Sequence, residues 1–177
     1  MHPLVYKAYI FAMAAHAAVG QLRDYTGEPY IAHPREVAEI LASFGASPEA
    51  QAAGYLHDVL EDTKVTFELL VEEFGLIVAS LVRMVSNVAK PEDGKRPVRA
   101  LINLKHKANA EPEGQDIAMA DIVSNLRTLA SLKPSFALVY VPEKFAVVEA
   151  LDRGNPLLRE KARSIVLAAA AELGIIL

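Results

Sequence analysis

Apolar residues recur along this chain at every third and fourth position, while segments that alternate polar and apolar residues are nearly absent. That period lays one apolar stripe along a helix and none along a strand, so it restricts the chain to an all-α fold. It predicts helices over residues 4–19, 34–44, 48–59, 67–74, 76–87, 97–109, 115–131, 142–151 and 156–173. Two starts carry a capping side chain followed by a proline that costs nothing in the first turn, Ser47-Pro48-Glu49 and Asn155-Pro156. Gly174 fits the residue just past the last helix. The segments QLRDYTGEPY, NVAKPEDGKRP and NAEPEGQ read as loops, and each is short enough that one domain is expected over 1–177.

A domain of 177 residues buries a core without staples, and the chain has no cysteine to supply any. A reducing, cytoplasmic location is therefore expected. No signal peptide is visible, and the apolar run IVLAAAA is far too short to cross a bilayer, so no membrane partner is expected. A formal charge of −4, with no block of Lys or Arg, speaks against nucleic acid, whose binding depends on phosphate neutralisation. A small phosphorylated ligand held by a few basic residues is compatible with that charge. The oligomeric state is left open.

One stretch stands out from this apolar background. YLHDVLEDT, residues 55–63, places His57, Asp58, Glu61 and Asp62 within six positions. If the helix begun at Pro48 continues through it, their spacing puts all four on one side. Three carboxylates gathered there repel one another, and a divalent cation removes the conflict. A lone His-Asp pair is weak, expected about 0.2 times by chance in a chain of this composition, but the extended HDVLED is far less so. Further ligands are needed. His33 precedes Pro34 at a helix start, and Asp121 follows Met119 and Ala120 in an apolar helical face, where an unpaired acid is costly. Singly each has a plainer role, His33 as a helix cap and Asp121 as a partner of Arg127 or Lys144. Together His33, His57, Asp58 and Asp121 make a mixed N/O set suited to a divalent first-row ion.

The segments TGEPYIAHP, LHDVLEDT, FG at 74–75 and AD…NLRTL at 120–129 resemble the HD-superfamily hydrolase domain of RelA/SpoT proteins. By length the chain is similar to the free-standing small alarmone hydrolases, over roughly residues 4 to 132. The resemblance implies an all-α HD fold of about eight to nine helices, with one manganese ion held by His33, His57, Asp58 and Asp121. It implies hydrolysis of the 3′-pyrophosphate of ppGpp or pppGpp to GDP or GTP and pyrophosphate. Glu61 and Asp62 match the acids that orient or deprotonate the attacking water. Arg23 matches an arginine whose flat guanidinium stacks on a purine or holds phosphate, and Asn125 and Thr128 match the ribose and base side of the pocket.

The chain departs from that pattern at several places. Ala18 stands where the family tends to have histidine, with His16 two residues earlier, and Asp24 replaces a common basic residue. Ala118, Ile122 and Ser124 replace a lysine, an arginine and a histidine. A phosphohydrolase of another nucleotide, such as a ppApp-type compound or NADPH, is therefore kept as an alternative. A helical nucleotide-binding module without turnover is a third reading, disfavoured by the retained Glu61 and Asp62. His2 and His106 match no motif and read as surface residues.

Overall fold

The computed structural model describes residues 2–24 and 26–177, without the side chains of residues 128 and 130–132. The chain is all-α and divides into two compact units, Met1–Ser86 and Asn87–Leu177. The first holds α1 (Pro3–Ala18), α2 (Ala32–Ser43), α3 (Pro48–Leu56), α4 (Val59–Asp62) and α5 (Phe67–Val85). The second holds a 3₁₀ turn (Pro91–Asp93), α6 (Arg96–Ala108), α7 (Pro112–Leu132), α8 (Pro134–Ala150) and α9 (Pro156–Leu173). No helix among the described residues is long and apolar enough to cross a membrane.

In the first unit α3 is the central element, packed by α1, α2 and α5. Its sequence explains why. Ala50, Ala52, Ala53 and Gly54 are all buried, and such small side chains let three neighbours approach one axis. Gly54 is the tightest point: a Cβ there would meet Leu41 Cδ1 of α2 at 2.6 Å. Ser47 caps α3 through the Ala50 amide at 3.1 Å, and Thr66 caps α5 through Leu69 at 3.2 Å.

The two helices expected at 67–74 and 76–87 correspond to a single α5 that is kinked at their junction. Gly75 has φ of +82° and ψ of 165°, a conformation that L side chains rarely adopt, so the glycine creates the break. The helix expected over 48–59 instead stops at Leu56, and Asp58 starts α4. A continuing helix would give the Gly54 carbonyl to the amide of residue 58. The imidazole of His57 takes that carbonyl instead, with Nδ1 at 2.8 Å.

In the second unit α9 packs against α7 and α8, and α6 against α8 and α7. Asn155 accepts from the amides of Leu157 and Leu158, and Gly174 closes α9 in the left-handed conformation. Gln115, fully buried, ties the unit together by donating to the Ala108 carbonyl at 2.9 Å and accepting from the Arg153 amide at 2.8 Å. Beside it Asp116 accepts from the Asn155 amide at 2.6 Å, and burial pushes its carboxyl pKa up. The helix expected from residue 142 begins eight residues earlier, at Pro134, and carries Pro142 in its interior.

Candidate functional site

His33 sits in the first turn of α2, His57 caps the C-terminus of α3 and Asp58 opens α4. Close packing of α2 on α3 brings the two rings to a centroid separation of 5.0 Å. His33 is 3% and His57 5% exposed. One ligand atom from each of His33, His57 and Asp58 lies within 4.8 Å of the others, a spacing that fits one metal ion. Asp58 Oδ2 is 3.0 Å from His57 Nε2 and 3.7 Å from His33 Nε2.

The surrounding hydrogen bonds prepare these atoms for a cation. When His57 donates from Nδ1 to the Gly54 carbonyl, its neutral form turns the Nε2 lone pair toward the Asp58 carboxylate. A cation between lone pair and carboxylate stabilises that arrangement. Tyr30 donates its hydroxyl proton to Asp58 Oδ2 at 2.6 Å, a charge-assisted bond that fixes the carboxylate. Its ring also lies 5.9 Å from that of His33, edge to face.

Glu61 and Asp62 are both exposed on α4, whose amides at 61 and 62 bond back to the Asp58 carbonyl at 3.1 and 3.0 Å. The chain therefore stays helical from Asp58 onward, which keeps Asp58, Glu61 and Asp62 on one side despite the break before them. Asp62 Oδ2 accepts from Gln21 Nε2 at 2.8 Å. Arg23 lies in the loop between α1 and α2, where a β-bridge pairs Leu22 with Pro29 and Arg23 N bonds Glu28 O at 2.9 Å. Gly27, at φ +70°, turns that loop.

The remaining predicted residues stand on α7 of the second unit. Asp121 is half-buried, and its Oδ1 accepts from Asn125 Nδ2 at 2.6 Å, so one turn of helix couples the expected fourth ligand to an expected ribose contact. The Thr128 side chain lies outside the described residues. Ala118, Ile122 and Ser124 are buried. Between α6 and α8 the same unit carries a groove of about 840 Å³ whose lining includes Arg96, Arg99, Lys107, Tyr140 and Lys144. Arg96 is held there by a bidentate pair with Glu143, at 2.8 and 2.7 Å.

Sequence reasoning assigned no role to Tyr30, Gln21 or His16. The first two lie inside the segment QLRDYTGEPY, so proximity to the motif was the available signal. His16 had none: it matches no motif position, and only the fold shows it to be buried.

Residues 8–144 match the family described as HD domain, a span that includes His33, His57, Asp58 and Asp121. The chain belongs to the HD-domain family. This HD domain is 37% identical over 136 residues to a probable guanosine-3′,5′-bis(diphosphate) 3′-pyrophosphohydrolase of Synechocystis, matching 75% of the chain and 18% of the relative. It is 41% identical over 125 residues to the Haemophilus influenzae guanosine-3′,5′-bis(diphosphate) 3′-pyrophosphohydrolase, matching 69% of the chain and 18% of the relative. The chain thus spans about a fifth of the length of the curated relatives it matches. Among solved structures, one described as a metazoan orthologue of SpoT that hydrolyses ppGpp superposes with a TM-score of 0.83 at 26% identity. That match covers 95% of this chain and 96% of the other.

Proposed function

We propose that this HD domain hydrolyses the 3′-pyrophosphate of ppGpp or pppGpp, giving GDP or GTP and pyrophosphate, with one manganese ion held by His33, His57, Asp58 and Asp121. One observation carries the reading: two buried imidazoles and a carboxylate converge within the span that matches the HD-domain family, in a chain whose curated relatives are named for this reaction. The likeness to a ppGpp-hydrolysing structure over nearly the whole of both chains supports it. Imidazole nitrogen and carboxylate oxygen suit a divalent first-row ion, and His57 and Asp58 are already oriented by the Gly54 carbonyl and the Tyr30 hydroxyl. Such an ion, when bound, lowers the pKa of a coordinated water and polarises a phosphoryl oxygen.

The chain's own residues account for the rest. In the balanced reaction the oxygen of water bonds to the phosphorus next to the ribose, and the bond from that phosphorus to O3′ breaks. The electron pair goes to O3′, which takes a proton. Glu61 and Asp62 orient the attacking water and accept its proton. Arg23 stacks on the purine or grips a phosphate, and Asn125 and Thr128 meet the ribose and base. Arg99, Lys107 and Lys144, along the groove of the second unit, are cations suited to a polyphosphate. A cytoplasmic location, and no part for membrane or nucleic acid, belong to the same reading of a cysteine-free chain of charge −4.

One observation favours a second reading, the same hydrolysis on a ppApp-type compound or NADPH. Ala118, Ile122 and Ser124 are buried and bring no cation to positions where the RelA/SpoT pattern has basic residues. The experiment is product analysis after manganese addition over ppGpp, pppGpp, ppApp and NADPH. A kcat/KM for ppGpp at least about tenfold above that for the adenine compounds supports the first reading. Preference for NADPH or ppApp transfers the assignment to the second, and absence of turnover on all four overturns both.

A further inference from the structure

Behind the metal cluster a second polar chain links α1, the loop after it and α4. His16 is 1% exposed, and its Nδ1 lies 2.6 Å from Gln21 Oε1. Gln21 Nε2 in turn donates to Asp62 Oδ2 at 2.8 Å. The chemistry of the groups gives this chain a direction. An ionised carboxylate only accepts, so the amide NH₂ of Gln21 faces Asp62 and its oxygen faces His16. The imidazole nitrogen meeting that oxygen must then carry a proton. Burial pushes the His16 pKa down and so favours a neutral ring. His16 is therefore the Nδ1–H tautomer, and its buried Nε2 has no hydrogen-bond partner among the described residues. The ring packs on Tyr30 at a centroid distance of 4.7 Å.

Asp62 is exposed and ends a four-residue helix, so its side chain alone has several rotamers open to it. Gln21 pins one carboxylate oxygen, and His16 pins Gln21 from a place closed to water. We propose that His16 and Gln21 are positioning residues for Asp62, holding Oδ2 so that Oδ1 keeps a fixed bearing toward the attacking water. The inference rests on the reading of Asp62 as a water-orienting acid. Neither residue touches substrate or reacting atoms. A glutamine amide does not titrate, so the chain transmits orientation and no proton.

The alternative is a polar staple that stabilises the loop and nothing more, and kinetics separate the two. The full chain loaded with manganese is assayed on ppGpp as wild type, Gln21→Leu, His16→Phe and His16→Asn. Leucine removes both bonds, phenylalanine keeps a flat buried ring without a donor, and asparagine returns an N–H near the place of Nδ1. The expected result is a kcat lower by about tenfold in Gln21→Leu and His16→Phe, with KM and metal content unchanged and most of the loss recovered in His16→Asn. In an Asp62→Asn background, Gln21→Leu should bring no further loss, because it acts through the carboxylate already removed. Loss in KM or metal content alone, equal damage from Phe and Asn, or additive loss with Asp62→Asn overturns the proposal. If His16→Phe does not fold, the Gln21→Leu pair decides. Ring-nitrogen NMR shifts test the chain without turnover: a protonated Nδ1 and bare Nε2 on His16 support it, and the reverse overturns it. A wild type inert on every nucleotide overturns the functional reading, and with it the catalytic purpose of the His16–Gln21–Asp62 chain, while the tautomer result shows separately whether that chain exists.

Discussion

Replacing Tyr30 by phenylalanine removes a single oxygen and tests how the metal site is held. The ring contacts with His16 and His33 survive the change, at centroid distances of 4.7 and 5.9 Å. What is lost is the hydroxyl bond to Asp58 Oδ2, 2.6 Å long. A hydrogen bond to a charged group contributes roughly 1.5–3 kcal/mol, which corresponds to about ten- to a hundredfold in a dissociation constant. The Asp58 side chain is 18% exposed, so water can replace part of the bond, and the lower half of that range applies, about ten- to thirtyfold. Isothermal titration of metal-free protein with Mn²⁺ measures it directly. The same preparation should melt within a few degrees of wild type, since the core is untouched. A manganese affinity within twofold of wild type would mean that Asp58 needs no support from Tyr30 and would overturn this prediction.

Glu61→Gln and Asp62→Asn keep shape and remove charge, so both should retain bound metal while losing about a hundredfold or more in kcat; near-normal turnover in both returns them to solvated surface acids. Gly54→Ala drives a methyl against Leu41 Cδ1 at 2.6 Å in a fully buried contact, and chemical denaturation should show a loss of about 1–3 kcal/mol. Asp116→Asn keeps an oxygen for the Asn155 amide and removes a carboxylate whose pKa burial raises. A raised folded pKa means stability that is fully present below the unfolded value, about pH 4, and is lost as pH rises through the folded value. The variant should therefore melt above wild type at pH 7, with the gap closing below about pH 4; a gap independent of pH contradicts the assignment.

Much of this architecture could be read from local chemistry. Proline at a first turn and a capping Ser47 or Asn155 state their purpose within four residues, and Gly75 marked the division of α5 because a glycine between two apolar periods has few other uses. The break before Asp58 could not be read that way. It depends on His57 turning its ring onto the Gly54 carbonyl, and on an α2–α3 approach that only a glycine admits. Pro142 misled in the opposite direction. A proline usually opens a helix, but here packing holds α8 together on both sides of it, and buried Val141, Val147 and Val148 outweigh one lost backbone bond.

The candidate site divides similarly. His57, Asp58, Glu61 and Asp62 stood out by type and spacing, and His33 and Asp121 entered as the further ligands that a cation held there would need. Tyr30 and Gln21 did not, because a hydroxyl and an amide are ordinary in a loop and acquire meaning only from the carboxylate each one reaches. His16 lies two residues from the position where a motif would look for it, and its role rests on burial that a sequence does not display. The losses at Ala118, Ile122 and Ser124 read as missing charge, and all three positions are buried on α7, a burial that the sequence alone does not display.

Metal content per chain shows whether His33, His57 and Asp58 hold a divalent metal. Wild type and His57→Ala are loaded with Mn²⁺, freed of excess by gel filtration and analysed for bound metal. Close to one ion per chain is predicted in wild type and almost none in a folded His57→Ala, since loss of a buried imidazole ligand removes the site. Stoichiometric manganese retained by the variant would contradict it.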